Sequence, residues 1–86
     1  MSDIVLYTTQ TCGYCQRAKR LLDRKGVTYD EIRVDVDAER WREMSARSGG
    51  RDTVPQLFIG ERHVGGFDEM VDLDLDGELD PLLGLD

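Results

Sequence analysis

Metal-ligating side chains are scarce in this chain, which has two cysteines and one histidine among 86 residues. A closed zinc site needs four ligands, and Cys12 and Cys15 find a further candidate only in His63. A stapling disulfide is expected to close a longer loop than the two residues between these cysteines. Long apolar runs are also missing. The longest, such as Ile4 to Tyr7, fall far short of the ~20 residues that cross a bilayer. Met1–Ser2–Asp3 lacks the basic region and apolar stretch of a secretory signal. A cytoplasmic location is therefore expected. There thiols stay reduced, and a Cys-x-x-Cys pair is more often catalytic or metal-binding than structural.

Positive charge is absent from the last part of the chain. Up to Arg62 there are 11 Lys and Arg against 10 Asp and Glu; from His63 onward there are 8 acidic residues and no Lys or Arg. The overall charge of −7 argues against non-specific nucleic-acid binding. The acidic tail reads as a solvated face, or as one that selects or repels charged partners. No repeats, linkers or low-complexity tracts appear. With 40% apolar and 34% charged residues, the composition is that of a globular protein. One domain over residues 1–86 is expected.

The patterns place seven main elements. "DIVLYTT" predicts a strand over 3–8. "CGYCQRAKRLLDRKG" carries Cys15, Ala18, Leu21 and Leu22 at helical spacing, with Gly26 at the expected C-terminal stop. "VTYDEIRVDV" predicts a half-buried strand over 27–36. Asp37 is placed to cap a helix over 38–48, ended by Gly49–Gly50. On that helix Trp41 shares a stripe with Ala38 and Ser45, which suits packing onto the core. "VPQLFIG" and "RHVGG" predict a hairpin turning at Gly60–Glu61. A helix follows from Asp68 to about Asp76, and Leu79, Leu82 and Leu83 mark a last short helix after Gly77. The order β-α-β-α-β-β-α gives an α/β fold, a four-stranded mixed sheet flanked by helices, and resembles the thioredoxin-like architecture.

With a helix beginning near Cys12, its sulfur sits at the positive end among free backbone N–H groups, which favour thiolate. Cys15, one turn on and facing inward, is close enough to pair with it. Cys12 is thus expected to be the nucleophile and Cys15 the resolving thiol.

"YTTQTCGYC", "TVPQLFI" and "VGGFDE" together resemble the small dithiol glutaredoxins of bacteria. The similarity covers nearly the whole chain, including "KGV" after the first helix and "LDPLL" near the end. It implies a glutathione-dependent thiol–disulfide oxidoreductase that reduces protein–glutathione mixed disulfides and protein disulfides. Its partners would be glutathione and such proteins, with glutathione as co-substrate and no tightly bound cofactor. A monomer is expected. The resemblance also implies that the peptide bond before Pro55 is cis and packs beside the cysteines. Val54 would offer its backbone N–H and C=O to glutathione as one strand edge to another. Gly66, Phe67 and Asp68 would receive the γ-glutamyl end, its carboxylate on helix amides and its ammonium on Asp68. Tyr14 and Thr53 would line the site. Two residues depart from the family pattern: Gly13 replaces a common proline, and Thr9 a common lysine. Arg51 is the candidate for part of the missing cation's role.

Two other functions remain open. A thioredoxin reduced directly by a flavoprotein is disfavoured by Cys-Gly-Tyr-Cys and Gly-Gly-Phe-Asp. An iron–sulfur carrier would hold a [2Fe–2S] cluster by Cys12 of two chains and two glutathiones; only then would Cys12 be a metal ligand. Gly13 speaks for it, since glycine also follows the first cysteine in cluster-carrying monothiol relatives.

Overall fold

The computed structural model describes residues 3–85. Its strands are β1 (Ile4–Thr8), β2 (Asp30–Arg33), β3 (Gln56–Ile59) and β4 (Arg62–Gly65), and its helices α1 (Gly13–Arg24), α2 (Ala38–Arg47), α3 (Phe67–Leu75) and α4 (Leu79–Leu82). The sheet order is β2-β1-β3-β4, with β1 parallel to β2 and antiparallel to β3, and β3 antiparallel to β4. The expected mixed sheet is therefore present, and the fold is thioredoxin-like.

The two central strands are buried on both faces, which explains their near-continuous apolar runs. Alternation along β1 sends Leu6 to one face and Tyr7 to the other. Leu6 joins Ala18, Leu22, Leu57, Met70, Leu79 and Leu83 under α1, α3 and α4. Tyr7 joins Val34, Met44 and Phe58 under α2, where Trp41 packs half-buried, as its stripe predicted. Ala38, on the same stripe, is exposed.

Local signals account for most helix ends. Asp37 Oδ1 accepts from Glu39 N at 3.0 Å, capping α2 as expected. Gly26 follows the last residues of α1 with φ +72°, the left-handed geometry that glycine adopts at little cost. The largest departure is β2, which spans four residues rather than 27–36. It is an edge strand, and its only partner among the described residues, β1, ends at Thr8. Val34 N adds one more bond, to Thr8 O at 2.9 Å. Beyond that Val36 has no strand partner among the described residues and is 74% exposed. Before the strand, Val27 and Tyr29 pack against the α1 side without joining the ladder. The short helix α4 adds an eighth element, anchored by buried Leu79 and flanked by buried Leu83.

Candidate functional site

α1 begins immediately after Cys12, which is its N-cap in extended conformation (φ −101°, ψ 112°). Cys12 Sγ accepts a hydrogen bond from Cys15 N at 3.1 Å, so a sulfur does the work usually given to a serine or aspartate oxygen. The same sulfur lies 3.6 Å from Val54 O, to which its thiol donates. Cys12 is half-buried, Cys15 fully buried, and both are free thiols. The sequence thus sets one thiol at a helix start and the other one turn inside, because positions 15, 18 and 22 all face the core.

Burial chiefly, together with hydrogen bonding to Cys12 and the proximity of its sulfur, pushes the Cys15 thiol up from 9.0 to about 12. Unfolding would return Cys15 to its ordinary value. The folded state therefore holds this proton more tightly, and the stability it contributes is fully present below pH 9 and lost as pH rises towards 12. In the reduced protein, the urea midpoint should fall more steeply between pH 8 and 10 for wild type than for Cys15→Ala. Parallel pH profiles would show that this thiol is not held protonated.

Beside Cys12 lies an open groove of about 200 Å³. One wall is Thr53, Val54 and Pro55, where the Val54–Pro55 bond is cis as expected. The opposite wall is Gly66, Phe67 and Asp68 at the start of α3. Tyr14, 56% exposed, and Arg51 complete the expected set, so every anticipated groove residue comes together. The Tyr14 and Phe67 rings lie 6.2 Å apart, and the Arg17 guanidinium sits 5.3 Å from the Tyr14 ring centre. Among the described residues, no hydrogen bond or ion pair engages the Asp68 carboxylate, and Gly66 rather than Asp68 is the N-cap of α3.

Glu69 also lines the groove, and the sequence reading missed it. Its Oε1 accepts from Gly66 N at 2.6 Å and from Arg51 Nη1 at 3.1 Å. The Gly66 bond first, then Arg51, holds this carboxyl below its ordinary value against partial burial. The signal was available: an acidic residue three positions after a helix N-cap is half of a capping box. The same carboxylate explains Gly65. Its φ is +119°, and a Cβ there would stand 2.5 Å from Glu69 Oε1. At Gly66 a Cβ would come within 3.4 Å of Pro55 O, so the two groove walls approach closely at backbone level. Arg51, the candidate cation, is thus already paired before any ligand arrives.

A thioredoxin-like sheet carrying a helix-capping thiol, a buried second thiol and an adjoining groove defines a protein of the dithiol redox class. The Glutaredoxin family model matches residues 4–64. Glutaredoxin 3 of Escherichia coli (strain K12) is 51% identical over 83 residues, covering 96% of this chain and 99% of the relative. Glutaredoxin of Pseudomonas aeruginosa is 52% identical over 83 residues, covering 96% and 98%. The solution structure of glutaredoxin from Brucella melitensis superposes with a TM-score of 0.84 at 48% identity, covering 99% of this chain and 91% of that one. A buckwheat glutaredoxin–glutathione complex superposes with a TM-score of 0.86 at 34% identity, covering 95% and 76%. The chain belongs to the glutaredoxin family, the glutathione-dependent thiol–disulfide oxidoreductases.

Proposed function

We propose that Cys12 is the nucleophile of this oxidoreductase, Cys15 its resolving thiol, and the adjoining groove its glutathione site. The observation that carries the reading is the Cys12 sulfur, accepting from Cys15 N at 3.1 Å while facing Val54 at the edge of the groove. A sulfur that accepts a helix N–H is solvated for negative charge. On ionisation its bond to Val54 O is lost, and that carbonyl becomes free for a peptide ligand.

For a protein–glutathione mixed disulfide, the Cys12 thiolate attacks the glutathione sulfur. The Cys12–glutathione disulfide forms as the protein–glutathione bond breaks, and the protein leaves as thiolate. A second glutathione thiolate then attacks that glutathione sulfur, releasing glutathione disulfide and the Cys12 thiolate. For a protein disulfide, the Cys12 thiolate attacks one substrate sulfur, forming a mixed disulfide as the substrate S–S bond breaks and its other sulfur leaves as thiolate; Cys15 then attacks the Cys12 sulfur, forming the Cys12–Cys15 disulfide as the Cys12–substrate bond breaks. The second substrate thiolate leaves, taking up the Cys15 proton. The first attack removes negative charge from Cys12, one of the causes that hold the Cys15 proton. Cys15 is thus easiest to ionise when it is needed.

In the groove, the Val54 backbone would pair with the cysteinyl unit of glutathione. The first amides of α3, at Phe67 and Asp68, suit the γ-glutamyl carboxylate, and the unengaged Asp68 carboxylate suits its ammonium group. Thr53 and Arg51 would face the glycyl carboxylate, which must compete with Glu69 for Arg51. Tyr14 and Phe67 would supply apolar walls. We place residues 1–86 as one domain acting as a monomer in the cytoplasm, on glutathionylated and disulfide-containing proteins. Among the described residues no helix is long and apolar enough to cross a membrane. The [2Fe–2S] alternative gains no observation of its own. A Cβ at Gly13 would meet nothing within 4 Å, so crowding does not account for the glycine on which that reading leans.

Turnover of a small glutathione mixed disulfide, coupled to glutathione and its NADPH-dependent reductase, tests the reading; no turnover would refute it. In the same assay Asp68→Ala should raise the KM for glutathione about tenfold. That is the low end for a charge-assisted hydrogen bond, as befits an exposed carboxylate. An unchanged KM would remove Asp68 from the site.

A further inference from the structure

Behind the groove wall runs a polar chain that the reaction described above does not use. Gln56, the first residue of β3, is fully buried. A buried amide must satisfy both ends, and this one does. Its Oε1 lies 2.6 Å from His63 Nε2 on β4, and its Nε2 donates to Thr53 Oγ1 at 3.2 Å. Thr53 in turn lines the groove.

The His63 ring is held in place. It stacks on Phe58, its cross-strand partner, at 4.8 Å and 26°. Phe58 also carries the Arg47 guanidinium 4.3 Å from its ring centre, and Arg47 Nη1 donates to Tyr7 Oη at 2.9 Å. Burial, with the Arg51 charge, lowers the His63 value below the ordinary 6.5, which favours the neutral ring at pH 7.

The chain has a direction. With a proton on Nε2, His63 donates to Gln56 Oε1, Gln56 Nε2 donates to Thr53 Oγ1, and the threonine proton is left to point away from Gln56. With the proton on Nδ1, the Gln56 amide would turn over. Thr53 would then spend its proton inward and show the groove only a lone pair. The observed amide orientation is the first arrangement.

We propose that His63 and Gln56 are positioning residues that fix Thr53 as a hydrogen-bond donor to an acceptor oxygen of glutathione. This rests on the groove being the glutathione site. A carboxylate or peptide carbonyl gains a donor, and a ligand presenting an N–H at that point does not. Neither residue touches the sulfur chemistry, so the effect falls on KM for glutathione and not on kcat.

His63→Phe keeps a ring against Phe58 and removes the donor. It should raise KM for glutathione roughly two- to tenfold, the range of one neutral hydrogen bond, with kcat within about twofold. His63→Gln, whose side-chain amide can reach as a donor where Nε2 stood, should restore KM to within about twofold. Thr53→Val should match His63→Phe, and the double variant should be no worse than either single one. Unchanged KM in His63→Phe, failure of His63→Gln to rescue, or additive losses in the double variant would each overturn the relay. If the phenylalanine variant does not fold, the ring nitrogens of wild type decide the matter. Their NMR shifts should report the proton on Nε2, and a proton on Nδ1 would refute the proposal. Wild type that turns over with a small dithiol but not with glutathione would instead overturn the glutathione reading of the groove.

Discussion

Cys12→Ser should show no measurable deglutathionylation and no reduction of protein disulfides. The serine hydroxyl is not ionised at neutral pH and cannot form the Cys12–glutathione disulfide through which both reactions pass. The substitution is also a clean one. Cys12 serves α1 as N-cap, its sulfur accepting from Cys15 N. Serine is among the preferred residues for that duty, so its oxygen can take over the bond. Thermal unfolding should stay close to wild type, within about 1 kcal/mol. Assay of the purified variant, with its melting curve alongside, separates lost chemistry from lost structure. A folded Cys12→Ser protein that still removes glutathione from a mixed disulfide would move the nucleophile elsewhere.

What made Cys12 and its surroundings legible was local chemistry. A helix-start pattern, a capping aspartate at Asp37 and a left-handed glycine at Gly26 each act through the nearest few residues, and each appears where its spacing placed it. The groove residues were legible through resemblance, and they converge in space as that resemblance implied. Two features were not legible, for different reasons. The length of β2 depends on where its neighbour β1 stops, and Thr8 ends β1 because the chain turns there toward Cys12. Nothing within 27–36 records that. Gln56 and His63 are seven positions apart on two strands, and their contact with each other depends on hairpin register. A buried glutamine inside "VPQLFI" reads as an ordinary polar position of an alternating strand until the fold shows that no water reaches it. Glu69 stands between these cases, since its capping bond is local while its ion pair with Arg51 spans the groove.

Cys15→Ser should divide the two activities. Removal of glutathione from a mixed disulfide needs only Cys12 and a second glutathione, so this turnover should persist within about threefold of wild type. Reduction of a protein disulfide needs an internal thiol to free the trapped substrate. Cys15 is that thiol, one helical turn from Cys12 and fully buried. Without it the Cys12–substrate disulfide persists until glutathione from solution attacks it, and glutathione at millimolar concentration replaces an intramolecular thiol only poorly. Effective concentrations of well-oriented intramolecular groups reach about 10⁵ M or more, so a loss of at least 10²-fold is expected. The hydroxyl is more costly to bury than a thiol, and a melting temperature lowered by a few degrees is the accompanying structural effect. Mass spectrometry after mixing with a disulfide substrate should find the variant linked to it through Cys12, and wild type free. Equal loss of both activities in a protein that remains folded would show that Cys15 supports Cys12 itself and does not act as the resolving thiol.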